Sequence, residues 1–240
     1  MKNSPHELKV QLVWGIFVRW GALALADRES VSPIETSANL FTELCYGAIL
    51  SLMINVGRMI IMAKKVVVIS TSLRANSNSD KLAQEFAEGA KQAGHEVEYI
   101  SLRGKKIAFC LGCLACQTKG ECVIKDDALP IAEAVLHADV VAWATPIYYY
   151  EMSGQMKVLI DRMNSMYPKD YKFREVYFLS AAAEEEESAP KRALEGLNGW
   201  IDCYPKASLK GSVFCGGVVM PGDIKGNAKL DEAREMGRQA

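Results

Sequence analysis

Residues 65–79 read Lys-Val-Val-Val-Ile-Ser-Thr-Ser-Leu-Arg-Ala-Asn-Ser-Asn-Ser, an apolar run followed by a polar loop. The four consecutive β-branched residues Val66–Ile69 are typical of a strand that is buried on both faces of a parallel sheet. Beyond the loop, Leu82, Phe86 and Ala90 recur every four residues and predict a helix with one apolar stripe. This stretch therefore predicts the first strand, loop and helix of an α/β domain.

Strands and helices alternate from this point toward the carboxyl terminus. Further strands are expected at Val97–Ile100, Val140–Ala144, Val176–Leu179 and Val213–Met220, and further helices after Asp126 or Asp127, around Met156–Met163, at Lys191–Cys203 and within Leu230–Gly237. In the first helix, Asn78 or Ser79 is the expected N-cap, and Gly94 follows the last turn. Alternating strands and helices form a parallel sheet with helices on both faces, so the prediction is a three-layer α/β sandwich.

The chain falls into two parts of different composition, an N-terminal extension of residues 1–61 and a domain of residues 62–240. The extension carries only ten of the 57 charged residues, although it makes up about a quarter of the chain. Arg19 and Arg58 limit its apolar runs, so neither run reaches the roughly 20 residues of a membrane-spanning helix.

Three interpretations of the extension remain open. A secretory signal peptide would explain Ala24-Leu25-Ala26, which resembles a cleavage site. A membrane-associating or dimer-forming helical segment is the second interpretation. The third is that the segment lies outside the native product. This one is favoured, because a complete domain begins directly at Met62, and translation is then expected to start at Met59 or Met62.

Composition also argues against several classes of function. The net charge of −1 gives no sign of a basic nucleic-acid-binding face or a polybasic membrane surface. None of the three histidines lies near a Ser or Cys in the pattern of a hydrolytic triad. Four of the seven cysteines lie within thirteen residues, whereas a secreted disulfide scaffold is shorter and spreads its cysteines. We therefore expect a cytoplasmic protein without nucleic-acid or membrane partners.

The loop after the first strand is a candidate phosphate-binding site, because ligands of parallel sheets bind at the carboxyl ends of the strands. Its candidate residues are Ser72, Arg74, Ser77, Asn78 and Ser79. They supply hydroxyl, amide and guanidinium donors beside a helix N-terminus, which attracts anions. Neither a Walker A motif nor a glycine-rich dinucleotide fingerprint is present, so a terminal phosphate monoester is the expected ligand group. An ordinary polar turn with an N-cap is the alternative.

The pattern Ser72-x-Arg74-x-x-Ser77-Asn78-Ser79 resembles the FMN-phosphate loop of the NADPH-dependent FMN reductases and their iron–sulfur flavoprotein relatives. The resemblance covers residues 64–240 and implies a flavodoxin-like fold, with a five-stranded parallel sheet in the order 2-1-3-4-5. The family often has Gly where Thr71 stands and Pro where Leu73 stands. These departures affect the shape of the loop but remove no hydrogen-bond donor.

Two further loops correspond to the flavin loops of that family. Pro146, Ile147, Tyr148 and Tyr149 follow the third strand and resemble the Pro-x-Tyr loop, which implies contact with the isoalloxazine ring. Ser180 and Ala181 follow the fourth strand, where small residues allow a backbone to approach the ring. The alternatives are tyrosines at the surface or in a dimer interface, and small residues that only pack tightly.

The cysteine loop has the spacing Cys110-x2-Cys113-x2-Cys116-x5-Cys122. Such a compact run can bind one [4Fe–4S] cluster, whereas zinc sites more often use two separated Cys pairs. The spacing and the following Asp126-Asp127 match the iron–sulfur flavoproteins, which hold a [4Fe–4S] cluster at this position. Redox-active thiols and merely structural thiols are the alternatives.

The resemblance implies electron transfer through FMN, with no residue needed as a catalytic acid or base. The leading hypothesis is an NAD(P)H-dependent FMN oxidoreductase that reduces a quinone, flavin, nitro, azo or similar small-molecule acceptor. The first alternative is an iron–sulfur flavoprotein that carries electrons from ferredoxin, and the second is a flavin-sensing interaction protein. The family implies a homodimer or homotetramer.

Overall fold

In the computed structural model, residues 63–240 are described, and the expectations for residues 1–61 lie outside them. The strands are β1 (Lys65–Ser70), β2 (Glu96–Ser101), β3 (Val140–Tyr148), β4 (Glu151–Met152), β5 (Glu175–Ala181) and β6 (Ser208–Cys215). The α-helices are α1 (Asn78–Gln92), α2 (Ala115–Lys119), α3 (Ala128–Leu136), α4 (Gly154–Arg162), α5 (Lys191–Asp202) and α6 (Lys229–Arg238). A 3₁₀ helix, Met163–Met166, follows α4.

The long strands form a parallel sheet in the order β2-β1-β3-β5-β6. Counted without the short β4, this is the predicted order 2-1-3-4-5, and the flavodoxin-like α/β prediction is confirmed. The strand order reverses direction between β1 and β3, where ligands bind in such sheets. The two-residue strand β4, which the sequence pattern did not predict, pairs antiparallel with the end of β3.

The core lies on both faces of this sheet, as the continuous β-branched run predicts. Val67 and Ile69 face a cluster formed with α3, α4 and α5. Val66 and Val68 face a second cluster, formed with α1 and α6. All four side chains are fully buried. The described residues therefore form three layers, with helices on each side of the sheet.

Two local expectations were wrong. The N-cap of α1 is Ser77 rather than Asn78 or Ser79. Ser77 has an extended backbone, and its hydroxyl Oγ accepts a hydrogen bond from the N–H of Asp80 at 3.2 Å. The last strand runs over Ser208–Cys215 instead of Val213–Met220. It ends there because the chain turns away at Gly216 and at Gly217, whose φ is +73°.

Within residues 63–240, no helix combines the length and the apolar character that crossing a bilayer requires.

Candidate functional site

A cavity of about 280 Å³ opens at the carboxyl edge of the sheet, between the loops that follow β1, β3, β5 and β6. It has a polar end, formed by the β1–α1 loop, and a less polar end, formed by the loops after β3 and β5. Nine of the eleven predicted cofactor-contacting residues line it, and Tyr149 and Ser180 do not. The topology has thus brought together residues from distant parts of the sequence.

The polar end is built from serines around the first turn of α1. Ser72, Ser77 and Ser79 all line the cavity. The Ser77 hydroxyl is used by the helix cap, and the Ser72 hydroxyl accepts from Arg74 N at 3.3 Å. The Ser79 hydroxyl is buried and has no hydrogen-bond partner among the described residues. A buried hydroxyl at a helix N-terminus is suited to an anionic ligand group, because the free N–H groups there carry partial positive charge.

Arg74 and Asn78 line the same end, but their side chains bind a distant loop. Arg74 donates to the carbonyl oxygen of Val219 at 2.8 Å. Asn78 donates to the carbonyl oxygen of Met220 at 3.0 Å. Its amide oxygen also accepts from the N–H of Gly222 at 3.1 Å and from the N–H of Ile224 at 3.3 Å. Both residues therefore act in this structure as anchors for that loop.

We call this loop, residues 216–226, the strap. Val218, Val219 and Pro221 from the strap line the cavity, although none of them was among the predicted contact residues. Ala182 and Ala183 also line the cavity; they belong to the same run of small residues as Ser180 and Ala181 but were not among the predicted contact residues. In the sequence, Gly222-Asp223-Ile224-Lys225-Gly226 also resembles a segment of the same family, but this resemblance implies no chemical role for the strap.

The less polar end is formed by Pro146, Ile147 and Tyr148 at the end of β3, and by Ala181 at the end of β5. Tyr149 and Tyr150 connect β3 to β4 with φ values of +52° and +66°. Two successive positive φ angles are typical of a tight type I′ hairpin turn, and they are uncommon for residues other than Gly, Asn and Asp.

This turn determines where the predicted ring-contacting residues lie. Tyr148 lines the cavity, while Tyr149 is 97% exposed at the tip of the turn and does not line it. Ser180 is fully buried within β5, and its hydroxyl lacks a partner in the described part of the chain. The cavity is therefore lined by Ala181–Ala183 rather than by Ser180.

A buried hydroxyl network joins the two ends of the cavity. The Thr71 hydroxyl donates to the carbonyl oxygen of Ala144 at 2.9 Å and lies 3.1 Å from the hydroxyl of Ser153. Thr145 Oγ1 contacts the same Ser153 hydroxyl at 3.2 Å and accepts from Ser153 N at 3.0 Å. Thr71, one of the two positions at which this loop departs from the family pattern, therefore connects the β1 loop to the start of α4.

The cysteine loop lies beside α4. Cys110 and Cys113 are exposed, Cys122 is half-buried and Cys116 is buried. Across residues 63–240, no three Cys, His, Asp or Glu side chains are grouped so that they could hold a metal ion. The four thiols are the right donors for an iron–sulfur cluster, but in this structure they are not arranged as a metal-binding site.

Arg162 is buried at the end of α4 and holds this loop in place. It pairs with Asp126 through contacts of 2.7 and 3.0 Å and donates to the carbonyl oxygens of Ala108 and Ile124. It also lies 3.5 Å from the sulfur of Cys122. The family resemblance implies that Lys157, Asp161 and Arg162 set helix packing and subunit contacts. In this structure Arg162 connects the cysteine loop to α4.

The charge state of Asp126 follows from these contacts. Burial raises the pKa of the carboxyl group. Hydrogen bonds from Arg162 and from the backbone N–H groups of Ala108 and Ala128, together with the charge of Arg162, outweigh the burial, so that the pKa lies below its usual range. For Arg162 burial has the opposite effect and lowers the pKa of the guanidinium group. The contact with Asp126 outweighs the burial, so the pKa lies above its usual value. The pair is therefore charged near neutral pH.

Comparison with known proteins places this geometry in a family. The chain matches the family model described as NADPH-dependent FMN reductase over residues 64–214, which is well over half of its length. An iron–sulfur flavoprotein of Archaeoglobus fulgidus is 39% identical over 99 residues, which are 41% of this chain and 45% of that protein. One from Methanosarcina thermophila is 25% identical over 155 residues, or 64% of this chain and 81% of that protein.

Solved structures agree at the level of the fold. The NAD(P)H:quinone oxidoreductase from Methanothermobacter marburgensis superposes with a TM-score of 0.61 at 21% identity, covering 74% of this chain and 96% of that one. The chain spans about half the length of several of the curated relatives it matches, among them the Archaeoglobus fulgidus protein. From the family match and the shared fold, we conclude that this chain belongs to the NADPH-dependent FMN reductase family.

Proposed function

We propose that this protein binds FMN in the cavity at the carboxyl edge of the sheet. The observation that carries the proposal is the cavity itself, which has two chemically different ends. One end is the N-terminus of α1 with the unpartnered hydroxyl of Ser79. The other, less polar end is formed by residues more than sixty positions later in the sequence. A ligand with a phosphate monoester at one end and a flat aromatic ring at the other matches that polarity. The family match supports the same ligand.

The residues present fit FMN as follows. Ser72, Ser77, Ser79 and the first N–H groups of α1 would hold the phosphate. Pro146–Tyr148 and Ala181–Ala183 would line the ring, where small side chains leave the backbone accessible. Bound FMN supplies the electron-transfer chemistry, and the protein supplies placement and electrostatics. None of the chain's own residues is assigned a role as acid or base.

We further propose that the protein is an NAD(P)H-dependent FMN oxidoreductase acting on a quinone, flavin, nitro or azo acceptor. The family description and a relative from Bacillus subtilis named as a putative NAD(P)H-dependent FMN-containing oxidoreductase support this activity. The test is anaerobic stopped-flow mixing of the flavin-loaded protein with NADH or NADPH. Bleaching of the flavin absorbance is the expected result, and an unchanged flavin spectrum with both nucleotides would reject the activity.

A second candidate function is electron carriage by FMN together with a [4Fe–4S] cluster, with ferredoxin as the electron donor. The four-cysteine spacing and the curated iron–sulfur flavoproteins that resemble this chain favour it. Because the thiols are not gathered in this structure, the cysteine loop would have to change conformation to bind a cluster.

Iron and sulfide analysis after anaerobic purification separates the two functions. The carrier function predicts about four iron and four sulfide per chain, the composition of one [4Fe–4S] cluster, and electron uptake from reduced ferredoxin. It is rejected if a Cys113→Ser variant takes up ferredoxin electrons as fast as the unmodified protein.

The assembly and the cellular location complete the proposal. We propose a homodimer or homotetramer in the cytoplasm, as implied by the family resemblance. Light scattering coupled to size-exclusion chromatography checks the assembly, and a mass of one chain would reject it.

A further inference from the structure

The strap is tied to the polar end of the cavity by side chains that the family resemblance would assign to phosphate binding. Asn78 makes one donor and two acceptor contacts with strap backbone groups between Met220 and Ile224. Arg74 adds a contact to the carbonyl oxygen of Val219. Four hydrogen bonds to backbone groups of the strap thus join Arg74, in the β1–α1 loop, and Asn78, in α1, to a segment more than 140 residues later.

The strap has a defined conformation of its own. The carboxylate of Asp223 accepts from the N–H of Val219 at 3.0 Å and from the N–H of Met220 at 2.7 Å. Gly222 has a φ of +92°, which residues with side chains rarely adopt. Asn78 therefore binds a preformed loop and holds it against the first turn of α1.

The position of the strap limits what can extend beyond the polar end. Val218, Val219 and Pro221 form part of the cavity wall next to the phosphate loop. A flavin mononucleotide would end at the phosphate loop, whereas a dinucleotide would have to continue past its first phosphate, where the strap forms the cavity wall.

We propose that the strap, anchored by Asn78, is the device that selects a flavin ending in a phosphate monoester and excludes flavins extended by a second nucleotide. This inference rests on the proposed function and deepens it. Asn78 is then a specificity-determining residue that acts through the strap. The side chain of Asn78 makes its three hydrogen bonds to backbone groups of the strap. It therefore contributes to the selection of FMN over FAD rather than to binding the phosphate charge.

The test compares the dissociation constants of FMN and FAD for the flavin-free, full-length chain by titration calorimetry. The unmodified protein should bind FMN at least a hundred times more tightly than FAD. Asn78→Ala removes the anchor, and we expect the ratio of the two constants to fall at least tenfold, mainly because FAD binds better. Asn198→Ala is the matched control, because Asn198 lies on α5 across the sheet and should leave the ratio unchanged.

A second variant loosens the strap without altering α1. Asp223→Ala removes the two contacts that shape the strap, and the same fall in the ratio is expected. Hydrogen exchange at the N–H groups of Gly222 and Ile224 supplies an independent reading, since their protection should be lost in Asn78→Ala.

The possible failures are distinguishable. If the unmodified protein binds FMN but the ratio stays the same in both folded variants, or if it binds FAD as tightly as FMN, the strap inference is wrong and the proposed function stands. If the unmodified protein binds neither flavin, the proposed function fails and the inference falls with it.

Discussion

Arg162 shows how one buried residue can organise a whole loop. Its guanidinium group is fully buried, and its partner Asp126 is nearly so. Burying a charge is costly unless the charge is paired and hydrogen-bonded, and the contacts with Asp126 and two carbonyl oxygens provide this pairing. Removal of either partner would leave an uncompensated charge in the interior.

We therefore predict that Arg162→Ala lowers the free energy of unfolding by about 3 kcal/mol, the usual cost of breaking a buried ion pair. Urea denaturation followed by circular dichroism measures the change. Lys157→Ala on the same helix is the control, because Lys157 and Asp161 form an exposed pair and should contribute at most about 0.5 kcal/mol. Equal effects of the two substitutions would contradict the role assigned to Arg162.

The pH dependence of stability provides a second prediction at this scale. The pKa of Asp126 is lowered in the folded protein, so its stabilising contribution is present above the pKa of the unfolded chain, about 3.9. This contribution is lost as the pH falls through the lower folded value. The stability difference between the unmodified protein and Asp126→Asn should be constant from pH 7 to pH 5 and should shrink below about pH 4. Denaturation at several pH values checks this, and a difference that grows on acidification would refute it.

At the scale of elements, the close contact of α1 with α6 depends on two glycines. A Cβ atom at Gly89 would overlap the carbonyl oxygen of Arg234, and one at Gly237 would overlap the carbonyl oxygen of Phe86. The two helix backbones can approach this closely only because these positions have no side chain. The contact fixes α6, and α1 in turn presents its N-terminus to the cavity.

Gly89→Ala should therefore destabilise the protein by at least about 2 kcal/mol, as overpacking does, although Ala is the better helix former. Gly199→Ala on α5 is the matched control with the opposite sign. A Cβ atom there meets no atom within 4 Å, so the substitution should stabilise the protein by up to about 1 kcal/mol. Thermal denaturation of both variants measures the effects, and a neutral Gly89→Ala would show that the helices can move apart.

At the scale of the whole molecule, the cavity exists only because four loops from separate parts of the chain end at the same edge of the sheet. Each loop alone is an exposed turn. A ligand that contacts several of them binds the folded chain and not the unfolded one, and it therefore stabilises the fold by mass action.

FMN at a hundred times its dissociation constant should raise the free energy of unfolding by about 2.7 kcal/mol. Riboflavin at the same concentration should stabilise less, because it lacks the phosphate group that the serines and the N-terminus of α1 would hold. Differential scanning calorimetry compares the two ligands. Equal shifts from FMN and riboflavin would mean that the polar end of the cavity does not bind the phosphate.

Local patterns in the sequence determined much of this protein. The β-branched run Val66–Ile69 and the alternation of strands with helices predicted the buried parallel sheet, because side-chain periodicity and burial are properties of neighbouring residues. The same alternation placed the loops after β1, β3 and β5 at one edge of the sheet, so most of the cavity-lining residues could be predicted from the sequence.

Only the tertiary structure decided what those residues contact. Asn78 and Arg74 were predicted to bind phosphate, but their partners lie in the strap. Tyr149 does not line the cavity, although its neighbour Tyr148 does. The spacing of the cysteines predicted a cluster site, while in residues 63–240 the thiols are not gathered into a metal-binding group, and Cys122 lies against Arg162. The physical reason is that the partner of a side chain depends on which distant backbone approaches it, and this follows from the packing of the whole sheet and its helices.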